Sequence, residues 1–463
     1  MVSVVGIIVS LLLLMWLAYR GFNVLILAPV LALLAVLIGG DTRLLGTYTQ
    51  IFMTGLGGYL MKYFPLFLLG AVFGRLMEDS GSAEAIARAI VRWVGVRRAI
   101  LAIVLSTAIL TYGGVSVFVV VFAVYPIATV LFREAQIPKR LFPGAFVLGA
   151  ATFTMSALPG TPSIQNAIPM PFFGTDLYAA PGLGVLGGVI MLVCGMLWLE
   201  RRARQARESG EGYGEHPHDA VATLRSAHNL PALVLAIAPV LLVIAVNYIF
   251  TRFVIPSMDT TYLGDSRFGK VTLDDVRGLW ALIAAVTIAI VGTIGLHWSR
   301  LTDLRRSLNE GTLTSLLPIF NTASEVGYGT VIASLAGFAI IRDAVFSLAP
   351  GAPLISEAIA VNVLAGITGS ASGGLSIAMA SMGATFLQLG TAAGVSPELL
   401  HRVAAIASGG LDTLPHNGAV ITLLGICHLT HRESYKDIFV VSLAVPLMAL
   451  VVVVGVGTWV GSF

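Results

Sequence analysis

The chain has 463 residues, of which 57% are hydrophobic and 11% are charged, and its formal net charge is +3. Soluble domains carry roughly 25% charged residues, so this composition excludes an ordinary soluble protein. It predicts an all-α polytopic protein that crosses the cell membrane many times. The small net charge and the lack of a basic arm exclude nucleic acid as a partner. The two cysteines, Cys194 and Cys427, lie in apolar runs and predict no disulfide framework.

Apolar runs long enough to cross a membrane occupy most of residues 1–199, which form the first half of the chain. The run at residues 2–19 lacks a preceding basic segment and is followed at once by another apolar run. We therefore interpret it as a retained span rather than a cleaved signal. Residues 41–62 are mixed in composition and predict an interfacial segment. The predicted spans are residues 2–19, 22–39, a third with its core at 65–77, 99–132, 141–173 and 181–199.

A polar, arginine-rich linker at residues 200–229 precedes the second half, residues 230–463. Residues 82–98 and 133–140 are also rich in arginine, whereas residues 343–356 and 391–401 contain no lysine or arginine. The positive-inside rule therefore places the linker in the cytoplasm, and both termini should then lie outside. The predicted spans of the second half are residues 231–250, 279–296, 312–341, 358–389, 399–429 and 438–460.

Two of the long apolar runs are interrupted by glycine pairs. The first is broken at Tyr112-Gly113-Gly114 and the second at Ser372-Gly373-Gly374. Each pattern favours a re-entrant hairpin of two half-length helices, as in the discontinuous helices of transporters. The alternative is a pair of full-length helices joined by a tight turn.

Two other spans are interrupted by prolines and polar residues, and we call them the first break and the second break. The first, residues 157–169, has the sequence Ala-Leu-Pro-Gly-Thr-Pro-Ser-Ile-Gln-Asn-Ala-Ile-Pro, and the second, residues 411–418, is Leu-Asp-Thr-Leu-Pro-His-Asn-Gly. Proline removes a backbone donor and fixes φ, so each helix must break. In a bilayer a broken helix persists only where it is buried in protein or lines a polar cavity. Two interrupted segments at matching places indicate the binding site of a transporter.

Three short matches at similar spacing predict an internal duplication. Pro65 matches Pro318, residues 113–116 match residues 373–376 as Gly-Gly-Val-Ser and Gly-Gly-Leu-Ser, and Leu-Pro recurs at 158–159 and 414–415. The offsets are 253, 260 and 256 positions. Each half then holds about five spans and one hairpin. Because five is odd, the second half enters the membrane from the opposite side, which predicts inverted repeats with two broken helices at the midplane.

The side chains at these interruptions suit a small hydroxylated carboxylate. Broken helices expose backbone N–H groups that attract anions, and glycine lets the backbone approach a ligand closely. The alternative is that the polar side chains only satisfy the interrupted backbone. The predicted substrate-binding residues are Gly113, Gly114, Ser116, Gly160, Thr161, Ser163, Gln165, Asn166, Ser372, Gly373, Gly374, Thr413, His416 and Asn417.

Charged residues within membrane spans are costly and usually functional. Asp412 opens the second break and Glu325 lies near the middle of its span, so either carboxylate is a candidate for binding the coupling cation. For Glu325 the alternative is a structural partner within the helix bundle. His416 is a candidate proton carrier near neutral pH. No cofactor is predicted beyond a coupling H⁺ or Na⁺.

No sequence pattern predicts catalysis or a bound metal. Residues 182–187 match the dinucleotide fingerprint Gly-x-Gly-x-x-Gly, but they lie in an apolar span without a preceding strand, and helix packing explains them better. The sequence contains no zinc motif, P-loop or nucleophile elbow. An intramembrane enzyme is therefore disfavoured.

The chain resembles the gluconate permease family of the ion-transporter superfamily. The resemblance rests on Gly-Ala-Val-Phe-Gly-Arg-Leu-Met-Glu-Asp-Ser-Gly at residues 70–81, Leu-Pro-Gly-Thr-Pro at 158–162 and Asp-Thr-Leu-Pro-His-Asn-Gly-Ala-Val at 412–420. A gluconate carrier is expected to have Pro-Thr-Pro-Gly-Pro where this chain has Leu-Pro-Gly-Thr-Pro. The Thr-Pro-Ser-Ile-Gln-Asn and Leu-Pro-His-Asn-Gly forms are more similar to the β-hydroxybutyrate permease branch. The resemblance implies cation-coupled symport, a scaffold and a transport domain in each protomer, a homodimer, and elevator-type movement.

The sequence thus predicts a secondary active symporter, and not an enzyme, in the cytoplasmic membrane. Its expected substrate is a small organic anion, a hydroxy acid such as β-hydroxybutyrate or gluconate, carried with H⁺ or Na⁺. The alternative is an uncoupled anion channel or facilitator, which would not accumulate its substrate against a gradient.

Overall fold

The computed structural model describes residues 2–20, 22–216, 230–349, 351–415 and 417–463. In these residues the chain forms helices and no strand, which confirms the all-α prediction. The predicted site residue His416 and residues 217–229 of the predicted linker lie outside the described residues.

Apolar sequence and the positions of proline set most helix boundaries in the first half. The helices are α1 Val2–Tyr19, α2 Val24–Ile38, α3 Leu44–Gly46, α4 Met53–Asp79, α5 Ser82–Val94, α6 Ala99–Tyr112, α7 Val117–Glu134, α8 Phe142–Ala150, α9 Phe153–Ser156, α10 Ile164–Ala167, α11 Met170–Phe173 and α12 Pro181–Glu208. Asn23 caps α2 by accepting a hydrogen bond from Leu25 N at 2.9 Å. Pro143 and Pro181 occupy first turns, where the missing N–H of proline has no helical acceptor to lose.

The second half has ten helices among the described residues. They are α13 Leu233–Ile249, α14 Leu273–Leu296, α15 Leu304–Ser334, α16 Ala336–Leu348, α17 Pro353–Thr368, α18 Ala371–Ala392, α19 Pro397–Ser408, α20 Gly418–Ile426, α21 His431–Phe439 and α22 Val445–Val460. Capping boxes at Thr272 and Thr430 fix the starts of α14 and α21. Apolar side chains from both halves form one large core, and a smaller core joins α1, α2 and the end of α15.

Six of the described helices are long and apolar enough to cross a membrane, and eight are if each of two bent pairs counts as one crossing. This agrees with a multi-pass membrane protein. The bends measure 103° at the junction of α5 with α6 and 95° at the junction of α15 with α16. The span predicted at residues 312–341 is therefore two helices, because the backbone of Leu335 is extended between them.

The long helices α4 and α15 run antiparallel and pack closely. A Cβ placed on Gly55 would collide with Thr330, and one placed on Gly311 would collide with the backbone of Val72. Glycine at these two positions therefore lets the helix backbones approach each other at both ends of the contact.

The segment predicted to be interfacial belongs to this long helix. Leu44–Asp79 is continuous over 36 residues, since a π-helical turn joins α3 to α4. The hydroxyls of Thr47, Thr49 and Thr54 donate to the carbonyl oxygen four residues earlier, which keeps them compatible with a helix despite their polarity. Lys62 therefore lies within a helix of the bundle.

The chain turns back between α6 and α7 and again between α17 and α18. Gly114, with φ of +89°, forms the first turn, and Ser116 is the N-cap of α7. Gly369, with φ of +63°, forms the second turn, and Ser370 caps α18. Glycine is the residue that adopts these positive φ values without strain.

The position predicted for the second turn is wrong. Ser372, Gly373 and Gly374 lie in the first turn of α18 rather than between helices. A Cβ on Gly374 would collide with the backbone of Ala365, so this glycine allows α17 and α18 to pack closely. The residues that form the two turns are offset by 254 or 255 positions rather than by the predicted 260, since 370 minus 116 is 254 and 369 minus 114 is 255.

The arginine-rich segments around the linker gather at one end of the bundle. Arg140 pairs with Glu211 at 2.7 Å and with Asp437 at 3.4 Å. Arg202 Nε donates to Asp437 at 2.9 Å, and Trp198 Nε1 donates to the same carboxylate at 3.0 Å. Asp437 is fully buried, so these donors compensate its charge. The 133–140 loop, the start of the linker and α21 therefore lie on one side of the bundle.

Candidate functional site

The first break is irregular and lies among three helices of four residues each, α9, α10 and α11. Residues 157–163 form no helix. Pro159, Pro162 and Pro169 remove backbone donors, so helical hydrogen bonds cannot continue through this stretch. The buried backbone groups must then find other partners, and side chains provide them.

Asn166 holds the first break together. Its Nδ2 donates to the carbonyl oxygens of Thr161 at 3.1 Å and Leu177 at 3.0 Å. Its Oδ1 accepts from His401 Nε2 at 3.0 Å and from Arg402 Nη1 at 3.2 Å. The side chain is fully buried and all four hydrogen-bonding positions of the amide are used. This geometry favours a structural role for Asn166 over substrate binding.

Ser163 and Gly160 also shape the loop. Ser163 Oγ donates to the carbonyl oxygen of Met155 and accepts from Asn166 N at 3.4 Å. Gly160 has φ of +79°, and a Cβ there would collide with the ring of Tyr178. Both residues therefore fix the backbone conformation of the first break.

Two residues that sequence reasoning missed reach the first break from α19 in the second half. Arg402 donates from Nε and Nη2 to the carbonyl oxygen of Ala179, at 3.0 Å and 2.7 Å. His401 Nδ1 lies 2.6 Å from the hydroxyl of Thr175. Both side chains are fully buried. Helix α19 begins at Pro397, close to the start of the predicted span at residues 399–429.

Three side chains near the first break keep unpaired polar atoms. Thr161 Oγ1, Gln165 Oε1 and Tyr178 Oη are shielded from solvent and have no hydrogen-bond partner. A buried polar atom left unpaired costs about 1–3 kcal/mol, so such atoms mark where a ligand or a water completes the bonding. They are the strongest candidates in the first break for contact with a substrate.

The turn between α6 and α7 contacts the first break. Tyr112 Oη donates to the carbonyl oxygen of Pro159 at 2.8 Å. A Cβ on Gly114 would lie 3.1 Å from Pro162, and one on Gly113 would collide with Val240. The structure thus brings the predicted glycines of this turn next to the first break, with Gly113 facing α13.

The side chain of Asn417 forms three hydrogen bonds in the second break. Its Nδ2 donates to the carbonyl oxygens of Asp412 at 3.0 Å and Gly369 at 2.9 Å. Its Oδ1 accepts from Val420 N at 2.8 Å and so caps α20. The turn between α17 and α18 therefore contacts the second break, just as the turn between α6 and α7 contacts the first.

Glu325 lies against the first turn of α18. A Cβ on Gly373 would collide with its carboxylate, so the glycine makes room for it. The hydroxyl of Ser370 is nearby, but Glu325 Oε2 is shielded from solvent and has no hydrogen-bond partner. Asp412 Oδ1 is shielded and unpaired in the same way. Two carboxylates with incomplete bonding therefore lie in the region of the second break.

The remaining predicted residues make polar contacts within the bundle. Thr413 Oγ1 lies 2.8 Å from Ser442 Oγ, between α20 and the last span. Ser372 Oγ lies 3.4 Å from Ser370 Oγ and 3.5 Å from Thr322 Oγ1. These hydroxyls form weak local networks next to Glu325 and Asp412.

Glu357 on α17 is a further buried carboxylate that sequence reasoning missed. It has no exposed surface, and both of its oxygens lack a partner among the described residues. Asn362 Oδ1, on the same helix, is also unpaired. A lone carboxylate in an apolar run was the signal available in the sequence.

Comparison with known proteins decides the family. The model of the family described as GntP family permease matches residues 1–457. The chain belongs to the GntP permease family. This family consists of transporters, so the chain is a transporter and not an enzyme.

Relatives of this GntP permease are also transporters. "Uncharacterized transporter YxjC" of Bacillus subtilis (strain 168) is 48% identical over 443 residues, covering 93% of this chain and 94% of that protein. The high-affinity gluconate transporter of Escherichia coli (strain K12) is 29% identical over 150 residues, 32% of each chain. Among solved structures, Neisseria gonorrhoeae MtrF, described with a class of antimetabolite efflux pumps, has a TM-score of 0.57 at 12% identity. The match covers 90% of this chain and 85% of that chain, and it shows similarity of fold.

The described site residues of this GntP permease fall into two groups. One group joins the first break to the turn between α6 and α7, and the other joins the second break, the turn between α17 and α18, and Glu325. The groups approach each other where Phe172 of α11 packs against Gly383 of α18. Within the described residues, no group of three His, Cys, Asp or Glu side chains is placed to hold a metal ion.

Proposed function

We propose that this GntP permease is a secondary active symporter that carries a small organic anion together with H⁺ or Na⁺. The observation that carries the proposal is the pair of carboxylates Asp412 and Glu325, each with a shielded, unpaired oxygen in the region of the second break. A proton or Na⁺ is the kind of partner that such an oxygen lacks. The named substrate of the E. coli relative, gluconate, supports a hydroxy acid such as gluconate or β-hydroxybutyrate.

The carboxylates also explain why the cation and the anion would travel together. Two unit charges about 4 Å apart interact with about 4 kcal/mol at an effective dielectric constant of 20, and like charges repel by that amount. Binding of H⁺ or Na⁺ at Asp412 or Glu325 removes this repulsion before an anion binds. The cation then raises the affinity for the anion, and the anion raises the affinity for the cation by the same factor.

The unpaired groups of the first break are the proposed contacts for substrate oxygens. Thr161 and Gln165 keep unpaired atoms, and the turn at Gly114 lies against Pro162, which follows Thr161 in the chain. Ser163 and Asn166 act by holding the loop in shape, because their side chains bond to its backbone. The alternative is that every polar group here is structural. In that case, substitution of Thr161 or Gln165 would leave the affinity for the substrate unchanged.

The proposal includes two inverted repeats, each with a broken helix near the midplane. The helix N-caps support it: 370 minus 116 and 417 minus 163 both equal 254, so Ser370 follows Ser116 and Asn417 follows Ser163 at one constant offset. The resemblance to gluconate permeases extends the proposal to a homodimer in the cytoplasmic membrane. In it a transport domain would move like an elevator against a scaffold, with the linker on the cytoplasmic side.

Uptake by the purified protein in liposomes tests the proposal. Labelled gluconate and β-hydroxybutyrate are offered with an inward H⁺ gradient, with an inward Na⁺ gradient, and with neither. We expect one gradient to drive accumulation above the external concentration, and an ionophore that collapses the gradient to abolish it. Equilibration without any effect of either gradient would instead identify an uncoupled channel or facilitator. Empty liposomes provide the control.

A further inference from the structure

A cavity of about 210 Å³ lies between the two halves of the chain. Its walls include Ile168 of the first break, Phe172 of α11, and Val326 and Ser376 from the second half. Pockets for drug-sized ligands measure roughly 300–1,000 Å³, so this cavity suits a smaller molecule. Both halves of the chain thus contribute to its walls.

Lys62 lines this cavity and brings a positive charge to it. Its ammonium lies 5.0 Å from the ring centre of Phe172, and among the described residues it forms no ion pair within 4.0 Å. Asp275 attracts it from the start of α14, but that carboxylate accepts from the N–H and the hydroxyl of Thr272, both at 2.7 Å. A lysine within a helix bundle is costly without a counter-charge. The cavity therefore provides a place for an anion beside Lys62.

Two hydroxyls line the same cavity with their bonding incomplete. Tyr59 Oη and Ser376 Oγ lie near each other, but neither has a hydrogen-bond partner within 3.5 Å. Each of these residues is only 4% exposed. Tyr63, one turn further along α4, is already paired, since its hydroxyl donates to the carbonyl oxygen of Ile168 at 3.2 Å. Tyr59 and Ser376 are thus the buried donors available to a bound anion.

We propose that this cavity is the carboxylate subsite of the permease. Lys62 supplies the counter-charge, and Tyr59 and Ser376 donate hydrogen bonds to the carboxylate oxygens. The inference rests on the proposed function, because that function makes an organic anion the cargo. An ammonium and two hydroxyl donors can together satisfy the charge and the acceptor positions of one carboxylate.

The subsite also restricts the class of substrate. One lysine balances one negative charge, and Lys62 is the one lysine or arginine among the described residues that line the cavity. A second carboxylate on the substrate would have no cation of its own in this cavity. The substrate class is therefore short hydroxylated monocarboxylates rather than dicarboxylates.

Isothermal titration of the detergent-purified protein tests the subsite, with gluconate, β-hydroxybutyrate and succinate as probes. We expect wild type to bind a monocarboxylate and to prefer it over succinate. Lys62→Met should weaken that binding about tenfold or more, because a hydrogen bond to a charged group is lost. Lys62→Arg keeps the charge and should bind more tightly than Lys62→Met. The control Lys436→Met removes an exposed lysine from α21 and should leave the affinity unchanged.

Other results of the titration and the uptake assay would contradict particular parts of the proposal. Unchanged affinity in Lys62→Met overturns the subsite, while the transport proposal is judged separately by uptake. If succinate binds as tightly as the monocarboxylates, the proposed substrate class is wrong. The substrate class is also wrong if the wild-type protein binds none of the probes. Binding that depends on Lys62 without gradient-driven uptake upholds the subsite and contradicts symport. If Lys62→Met fails to fold, Tyr59→Phe and Ser376→Ala decide, and unchanged affinity in both overturns the subsite.

Discussion

Arg402 Nη2 lies 2.7 Å from the carbonyl oxygen of Ala179, and Arg402 Nε lies 3.0 Å from the same atom. The guanidinium also donates to the carbonyl oxygens of Leu177 at 3.4 Å and Ser156 at 3.5 Å. A residue of α19 thus supports the backbone on both sides of the first break. The two halves of the chain therefore share one structural unit at this point, and neither half completes it alone.

Arg402→Met is expected to destabilise the protein strongly. The substitution keeps much of the side-chain volume but leaves several buried carbonyl oxygens unpaired, and each unpaired group costs about 1–3 kcal/mol. Thermal unfolding in detergent should show a clearly lower midpoint than wild type. Arg432→Met, at an exposed position of α21, is the matched control and should unfold like wild type. Equal midpoints for the two variants would contradict the bracing role of Arg402.

Asn166→Ala and Gln165→Ala should separate structure from binding within the first break. Asn166 uses every polar position of its amide on protein groups, so its loss should lower the unfolding midpoint. Gln165 has an unpaired Oε1, so its loss should leave stability nearly unchanged and weaken substrate binding about tenfold. Thermal unfolding and titration with gluconate or β-hydroxybutyrate measure the two effects. A stable Asn166→Ala variant with weakened binding would assign the substrate contact to Asn166 instead.

Gly373→Ala should disturb the carboxylate of Glu325. The added methyl group would occupy the space of that carboxylate and push it away from α18. We expect lower stability and an altered dependence of uptake on the driving cation, although alanine is ordinarily favoured over glycine in a helix by about 1 kcal/mol. Gly295→Ala on α14 meets no atom within 4 Å and should be neutral or stabilising. Wild-type cation dependence in Gly373→Ala would argue against a role for the Glu325 position.

The pair formed by Arg140 and Glu211 should make stability depend on pH. The hydrogen bond from Arg140 lowers the pKa of Glu211 below its ordinary value of 4.5. A carboxyl group with a lowered folded pKa stabilises the protein above its unfolded pKa, and this contribution is lost as the pH falls through the folded pKa. Glu211→Gln should therefore lower the unfolding midpoint at neutral pH, with the difference disappearing below pH 4.5.

The size of this effect is limited by solvent. The side chain of Glu211 is 42% exposed, so the pair contributes at most about 1 kcal/mol and weakens with added salt. A series of thermal unfolding curves at several pH values, with and without salt, measures it. A difference between Glu211→Gln and wild type that stays constant from neutral to acidic pH would show that the pair is not the cause.

Labelling of single cysteines tests the orientation in the membrane. The cysteines are placed at Ser209 and Ser257, in a background without Cys194 and Cys427. Both serines are exposed, and Ser209 follows α12 whereas Ser257 follows α13. Because the arginine-rich end should be cytoplasmic, an impermeant maleimide added to whole cells should label position 257 and spare 209. Permeabilised cells control for reactivity. Labelling of 209 alone would reverse the topology.

Local sequence predicted the apolar helices well, because burial acts at the position where it occurs. The spans at 2–19 and 181–199 coincide with α1 and with most of α12. Prolines marked both breaks, since a missing donor ends a helix whatever surrounds it. The turn predicted at Gly373-Gly374 was wrong, because glycine also occurs where two helices pack closely.

The parts that sequence could not predict depend on contacts between distant segments. His401 and Arg402 reach the first break over more than two hundred positions, so no local pattern shows their partners. The sequence placed Lys62 in an interfacial segment, because a stretch with several polar residues is typical of a membrane boundary. The structure shows that the helix continues through this stretch. Glu357 was passed over in an apolar run, although a lone buried carboxylate is itself a signal.

The central claim is that a carboxylate at the second break makes anion transport depend on a cation. Asp412→Asn removes the charge and keeps the shape of the side chain, so it tests this claim most directly. In liposomes the variant should lose gradient-driven accumulation of the anion, while exchange of labelled for unlabelled anion across the membrane should persist. If Asp412→Asn still concentrates the anion with the pH and Na⁺ dependence of wild type, the claim is contradicted at Asp412.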